Sequence, residues 1–163
     1  MISDGRNTFL MAGLNGDIIE CWKRCYEQFK EQPRELVRDI RGTVRERCEA
    51  IYDYMVCNTY YQLDADGEQL IKSPARLIAD GCGDCKSYTM FLACCLHCMG
   101  IPVKVRFVNF DGGNQYTHVY PVAIDEQGGE IILDACELNS EGVPYIDFAR
   151  PYTKKKELYY YGK

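Results

Sequence analysis

The hydrophobic pattern of the chain changes its period once, at Gly100-Ile101-Pro102. Before this tripeptide, apolar residues recur every three to four positions, as in amphipathic helices; after it they alternate, as in half-buried strands. The alternating segments are separated by "DGGN" and "DEQGG", which are glycine-bearing hairpin loops. Helices followed by an antiparallel meander predict an α+β fold.

The length of 163 residues fits one domain that buries its own core. We predict a single domain over 1–163, with helices within 15–100, antiparallel strands within 102–136 and an extension over 137–163. In the extension, Tyr159–Tyr161 favour an edge strand over a segment that covers the functional site.

The helical half is predicted to contain four helices. The first begins at Asp17, a plausible N-cap, and the second begins at Pro33. The second helix is predicted to be long, because its apolar stripe runs from Leu36 to Met55 without a break. The arginines between these positions alternate with acidic residues, and mixed charges at helical spacing favour a solvated face over a ligand patch.

Capping and turn residues define the remaining helices. Asp66-Gly67 is typical of a turn. Ser73-Pro74 combines an N-cap with a first-turn proline and predicts a short helix that ends at Gly81. The fourth helix begins near Cys85, and Gly100 stands where a C′ glycine terminates a helix.

Composition excludes several classes of function. The net charge of −5 and pI near 5.1 give no basic surface for nucleic acid. The N-terminal apolar run is too short for a signal peptide or a spanning helix, so we expect a cytoplasmic protein without a membrane partner. A reducing compartment disfavours disulfides. Most of the ten cysteines, including Cys21, Cys25 and Cys48 on helical apolar stripes, are therefore expected to be small buried hydrophobes.

Five cysteines fall in "DGCGDCKSYTMFLACCLHCMG", and zinc is one interpretation. Cys82, Cys85, Cys95 and Cys98 form two CxxC pairs, but nine residues between the pairs is short for a zinc ribbon, and the second pair lies within a predicted apolar helix. We therefore predict no metal site here, and we expect His97 at the helix surface or edge.

Thiol redox chemistry is a second interpretation. The Cys82/Cys85 pair at a helix N-terminus is typical of thiol–disulfide oxidoreductases. Such a motif should follow a buried strand of a βαβ unit, and the sequence predicts no parallel strand pair around it.

Nucleophilic catalysis by Cys85 is the third interpretation, and it requires a base. His97 lies twelve residues along the same helix, about 18 Å of rise, so His118 is the candidate base. If Gly128 adopts the left-handed conformation in the hairpin loop, each residue of one strand pairs with the residue of the other strand whose number brings the sum of the two to 254. Asp134 then lies diagonally across from His118, where their side chains can meet.

The stretches "GCGDCKSYTMFLACCLHCMGIPVKVRF", "THVYPVAI" and "IILDAC" together resemble the transglutaminase-like superfamily, a papain-like group of cysteine enzymes. The resemblance covers Ile51 to Cys136. It implies a papain-like fold with Cys85 as nucleophile, His118 as base and Asp134 as the acid that orients it. It gives no role to the remaining cysteines of this region, which we interpret as packing residues: Cys82, Cys94, Cys95, Cys98 and Cys136. The segment "VYPVAID" departs from the commoner His-Ala-Trp pattern after the catalytic histidine.

The resemblance implies acyl transfer through a thioester, without a cofactor or metal. Small bacterial members resemble proteases or amidases, so hydrolysis of a peptide, isopeptide or side-chain amide is expected. The backbone N–H of Cys85 is one expected oxyanion donor. The second donor stays open among Gln69, Tyr60 and Tyr61. The alternatives are a non-catalytic binding or structural module on the same fold, as in a phage-related protein, or a Cys82/Cys85 oxidoreductase.

Overall fold

The structure is a computed structural model that describes residues 8–11, 15–65, 69–138 and 140–161. The turn expected at Asp66-Gly67 lies outside the described residues. The helices are α1 (Asn15–Phe29), α2 (Arg34–Val37), α3 (Val44–Asn58), α4 (Pro74–Asp80) and α5 (Cys85–Cys98). The strands are β1 (Thr8–Met11), β2 (Tyr60–Tyr61), β3 (Gln69–Lys72), β4 (Cys82–Gly83), β5 (Val103–Asn109), β6 (His118–Ile124), β7 (Glu130–Ile132) and β8 (Lys154–Tyr160).

The largest sheet is antiparallel and has the order β7-β6-β5-β8. Val122 pairs with Ile132 and Ala123 with Ile131, which is the expected register. Gly128 has φ +81°, as the loop requires. The expected edge strand is confirmed as β8, which pairs with β5. The α+β class is confirmed.

Two small ribbons accompany the helices in the first half of the chain. β1 pairs with β3 in antiparallel orientation, and β2 pairs with β4 in parallel orientation. The absence of a parallel pair near Cys82 was therefore a wrong prediction. Two-residue strands are too short to show a period in the sequence, which explains why β2 and β4 were missed.

Helix α5 lies at the centre of the fold. Its residues from Cys85 to His97 are all buried. One apolar cluster joins it to α3 and α4, and a second joins it to α1, β5 and β6. Trp22 of α1 is fully buried and donates from Nε1 to the carbonyl oxygen of Lys86 at 3.1 Å. Thr89 donates to the carbonyl oxygen of Val119 at 3.2 Å, which fixes α5 against β6.

The long second helix was a wrong prediction. α2 ends at Val37, and α3 begins only at Val44. Gly42 has φ +118°, a conformation that favours glycine and ends a helical run. Thr43 is the N-cap of α3 and forms a reciprocal capping box with Glu46. The apolar stripe therefore continues across two separate helices.

The other helix ends follow their sequence signals more closely. Asp17 is not an N-cap, because α1 begins two residues earlier, at Asn15. The Ser73 hydroxyl caps α4 by accepting from the N–H of Arg76 at 3.2 Å. Gly81 and Gly100 adopt left-handed φ values of +70° and +71°, as predicted. Among the described residues, every helix is too short or too polar to span a lipid bilayer.

Candidate active site

The N-terminus of α5 presents Cys85 as its first helical residue. Asp84 is the N-cap, and its Oδ1 accepts from the backbone N–H groups of Lys86 at 3.0 Å and Ser87 at 3.5 Å. Cys85 is 9% exposed, so its sulfur is held at the edge of the core.

The β6–β7 hairpin brings His118 and Asp134 together. Nε2 of His118 lies 2.7 Å from Oδ2 of Asp134. His118 is the first residue of β6, and Asp134 follows the end of β7. The Asp134 carboxylate is 1% exposed and also accepts from the backbone N–H of Cys136 at 3.1 Å. These contacts fix the carboxylate relative to the ring.

His118 also forms a hydrogen bond with Cys85, so its ring joins the two predicted partners. Burial opposes the charge on the ring, but hydrogen bonds with Asp134 and Cys85 outweigh burial and raise the pKa of His118 to about 10. At neutral pH the ring is therefore protonated. A sulfur, an imidazolium and a carboxylate therefore lie side by side in this order.

A buried ionic cluster lies behind Cys85. Lys86 Nζ pairs with the Asp84 carboxylate and with Oδ2 of Asp64 at 3.1 Å. Burial raises the pKa of Asp84, while the Lys86 ammonium acts in the opposite direction. The cluster fixes Asp84 and Lys86, which precede and follow Cys85 in the chain. It was missed in the sequence, because no local pattern joins Asp64 to Lys86.

A cleft of about 240 Å³ opens beside Cys85 and His118. It is lined by Ile18, Gln69, Cys85, Lys86, Phe107, Gln115, Tyr116, Thr117, His118 and Val119. Gln69, one of the three oxyanion candidates, therefore reaches the site. Tyr60 is 63% exposed and is not brought to this cleft.

Tyr61, the third oxyanion candidate, contacts the backbone of Cys85. The N–H of Cys85 donates to the Tyr61 hydroxyl, and burial is the main cause that raises the pKa of Tyr61. Pairing of Tyr61 with Gly83 across β2 and β4 fixes this position, and the ring packs edge-on against Tyr88 at 5.9 Å.

The other cysteines have different environments. Cys94 and Cys95 are fully buried in the core, as expected for packing residues. Cys136 instead lies beside the site: among the described parts of the chain, His118, Asp134 and Cys136 are the one group whose potential metal-ligand atoms lie within 4.8 Å of one another. This group does not include the four cysteines of the two CxxC pairs.

His97 is not a surface residue. It is 8% exposed, and its Nε2 lies 2.7 Å from Oε1 of Glu31. A larger cleft, of about 440 Å³, lies at the same C-terminal end of α5, between α2 and the start of α3. It is lined by none of the predicted catalytic residues. The chemistry predicted from the sequence therefore maps to the smaller cleft.

Two solved structures share this fold. A "putative protease" from Parabacteroides distasonis has a TM-score of 0.58 and 14% identity, over 71% of this chain and 25% of that chain. A "putative cysteine protease" from Cytophaga hutchinsonii has a TM-score of 0.50 and 16% identity, over 94% of this chain and 63% of that chain. The chain thus spans less than two thirds of either protein. At these identities the likeness shows the fold alone.

The family comparison covers most of the site. No curated protein matches the sequence. The family model described as the transglutaminase-like superfamily matches residues 33–135, more than half of the chain, and this range contains Cys85, His118 and Asp134. The chain therefore belongs to the transglutaminase-like superfamily.

Proposed function

We propose that this protein is a cysteine enzyme that cleaves amide bonds through a thioester, with Cys85 as nucleophile, His118 as acid and base, and Asp134 as the orienting acid. The observation that carries the proposal is the position of His118, which contacts both Cys85 and Asp134 beside an open cleft. A sulfur, an imidazole and a carboxylate in this order are the components of nucleophilic acyl transfer.

The reaction has two halves. The Cys85 thiolate attacks the carbonyl carbon, and the C–N bond breaks as His118 gives its proton to the departing amine. The product is a thioester on Cys85. His118, now neutral, takes a proton from water, which attacks the thioester and releases the acid and the Cys85 thiolate. Asp134 holds the ring in the tautomer and orientation that both halves need.

Two donors are proposed for the oxyanion that forms during each attack. The first is the N–H of Cys85, which the Tyr61 hydroxyl occupies in the absence of substrate. The second is the Tyr61 O–H itself, which remains free to donate once the acyl oxygen takes its place. Two aligned donors contribute about 2.7–4 kcal/mol each to transition-state stabilisation in comparable sites. Gln69 is assigned to substrate binding, because its side chain lines the cleft.

Hydrolysis is the proposed outcome, with a peptide or protein as substrate. The cleft beside Cys85 is open to solvent and combines the apolar Ile18, Phe107 and Val119 with the amides Gln69 and Gln115. Such a lining suits an extended peptide with an uncharged side chain better than a highly charged ligand.

The test is a screen with electrophilic peptide probes and fluorogenic peptide amides of varied acyl residue, followed by mapping of the labelled cysteine. We expect one probe per chain at Cys85, with hydrolysis of the corresponding amide and loss of both in Cys85→Ala. Circular dichroism confirms that the variant is folded. Equal labelling of several cysteines, or turnover that survives in Cys85→Ala, would contradict the proposal.

One substitution distinguishes the redox alternative from the proposed amide hydrolysis. A thiol–disulfide oxidoreductase needs Cys82 as much as Cys85. Cys82 instead contacts Lys72, with Nζ 3.8 Å from the sulfur. We expect Cys82→Ala to keep amidase activity, whereas an oxidoreductase would lose its activity in this variant.

A further inference from the structure

We propose that His118, Asp134 and Cys136 form a zinc site that overlaps the catalytic pair, so that bound Zn²⁺ holds the enzyme inactive. Zinc binding is inferred from the geometry of these three residues alone. The inhibitory consequence rests on the proposed function above.

The spacing of the three ligand atoms carries the proposal. One nitrogen of His118, one carboxylate oxygen of Asp134 and the sulfur of Cys136 all lie within 4.8 Å of one another. Zinc bonds of about 2.0–2.3 Å place tetrahedral ligands roughly 3.2–3.8 Å apart. The His118–Asp134 contact of 2.7 Å must therefore open by roughly 0.5–1 Å, and the longest separation must close by about 1 Å or slightly more; side-chain rotation can supply both changes.

Local hydrogen bonds already restrict two of the ligands. The backbone N–H of Cys136 donates to Oδ1 of Asp134 at 3.1 Å, and Oδ2 of the same carboxylate contacts His118. The Tyr52 hydroxyl donates to the carbonyl oxygen of Asp134 at 3.2 Å. The turn after β7 is thus held with its carboxylate and thiol on the side of His118. Restricted ligands lose less conformational entropy when a metal binds.

The ligand types select the metal. Nitrogen, thiolate sulfur and carboxylate oxygen are the usual zinc donors, whereas Mg²⁺ and Ca²⁺ prefer oxygen alone. The Asp134 carboxylate and the Cys136 thiolate together balance the charge of Zn²⁺, and neutral His118 completes three protein ligands. Binding displaces one proton from protonated His118 and one from the Cys136 thiol, and both leave to solvent.

The fourth position is left to a water molecule. Nε2 of His118 faces Asp134, whereas the other ring nitrogen contacts Cys85, so the Cys85 sulfur lies on the far side of the ring from the metal. Metal-bound His118 is a neutral ring that keeps one proton, on the nitrogen beside Cys85, and it gives this proton to a departing amine far less readily than the imidazolium does. Its hydrogen bond with Asp134 is replaced by coordination. The metal-bound enzyme is therefore expected to be inactive, and removal of the metal restores it.

The first test measures binding without activity. Co²⁺ is added to the reduced, chelator-treated protein, and thiolate-to-cobalt absorption near 300–350 nm is recorded with its displacement by Zn²⁺. We expect this absorption in the wild type and at least a tenfold loss of Zn²⁺ affinity in Cys136→Ser. Cys57→Ser is the matched control, because Cys57 is exposed and lies outside the group, and it should bind like the wild type. Circular dichroism and thermal melting show that each variant is folded.

Two results would overturn the site: no thiolate absorption in the wild type, or equal affinity in the wild type and Cys136→Ser. His118→Gln provides a second measurement that does not depend on Cys136, and an unchanged affinity in this variant would also overturn it. Selective binding by protein that hydrolyses no tested amide would support the metal site and count against the proposed function instead.

The second test measures inhibition of whichever amide the screen identifies. Each variant is compared with its own metal-free rate. We expect Zn²⁺ to inhibit the wild type reversibly by more than tenfold, with a tenfold higher concentration needed for Cys136→Ser. Equal inhibition of both would show that Zn²⁺ acts on Cys85 and His118 alone, which would overturn the role of Cys136.

Discussion

Nε2 of His118 and Oδ2 of Asp134 are 2.7 Å apart, although the two residues are separated by 16 positions and lie at the ends of different strands. The contact is possible because the β6–β7 register places both side chains on the same face of the hairpin. The Asp134 carboxylate thereby determines which ring nitrogen of His118 is left to contact Cys85.

Asp134→Asn should keep the fold and lose activity. The amide has the shape of the carboxylate but can hold His118 in the wrong tautomer, and we expect kcat to fall by about 10²- to 10⁴-fold. Asp53→Asn, on the exposed side of α3, is the control and should be unchanged. An Asp134→Asn enzyme within threefold of the wild type would show that the carboxylate does not orient the base.

Stability should decline with rising pH because of His118. Its pKa of about 10 in the folded protein lies above the value of about 6.5 expected in the unfolded chain. The protonated ring therefore stabilises the fold fully below about pH 6.5, and this stabilisation is lost as the pH rises towards 10. Urea unfolding in the presence of a chelator measures the effect.

The His118→Gln variant isolates this contribution from the titration of cysteines and tyrosines. We expect the free energy of unfolding to fall more steeply in the wild type than in His118→Gln between about pH 7 and 10. Parallel curves would contradict the raised pKa of His118. The same proton is needed by the leaving amine, so the wild-type rate should also decline as the pH approaches 10.

Tyr61→Phe and Gln69→Ala should have different kinetic effects. Loss of the Tyr61 O–H removes a donor that acts in the transition state, so we expect kcat to fall by about 10- to 100-fold with little change in KM. Loss of the Gln69 amide removes a contact in the cleft, so KM should rise with kcat nearly constant. The reverse pattern would assign the oxyanion donor to Gln69.

Lys86→Met should destabilise the protein strongly. The substitution leaves the carboxylates of Asp84 and Asp64 in a buried place without their cation, a change of about 3–5 kcal/mol in comparable sites. Urea denaturation measures the loss. Lys155→Met is the control, because its pair with Glu157 is more exposed and contributes about 0–1 kcal/mol. Equal effects of both substitutions would show that the buried cluster is not structural.

The parts of the fold that the sequence predicts are those with local causes. Ser73 caps a helix that Pro74 begins, Gly100 ends another, and Gly128 sets the hairpin register that brings Asp134 to His118. Each of these outcomes depends on backbone conformation within a few residues. The same reasoning could have found the end of α2, because Gly42 and the Thr43-x-x-Glu46 capping box are also local; the continuous apolar stripe was given too much weight.

The remaining parts of the site depend on contacts between distant segments. Tyr61 reaches Cys85 only because two short strands pair in parallel, and Asp64 reaches Lys86 through the same part of the chain. The position of Cys136 near His118 follows from the turn that also places Asp134. The sequence did not distinguish Tyr61 from Tyr60 and gave no indication of the contact between Asp64 and Lys86, because each of these side chains has an ordinary role in packing or solubility elsewhere.

Burial on every side of α5 restricts how this fold can acquire new specificities. A helix enclosed by neighbours cannot change its tilt without disturbing the whole interior, so the Cys85 sulfur at its first turn keeps one location. The segments around the cleft, such as residues 115–117 and Gln69, are less enclosed and tolerate substitution more readily. Sequence changes should therefore accumulate in these segments around the cleft, while the position of Cys85 is retained.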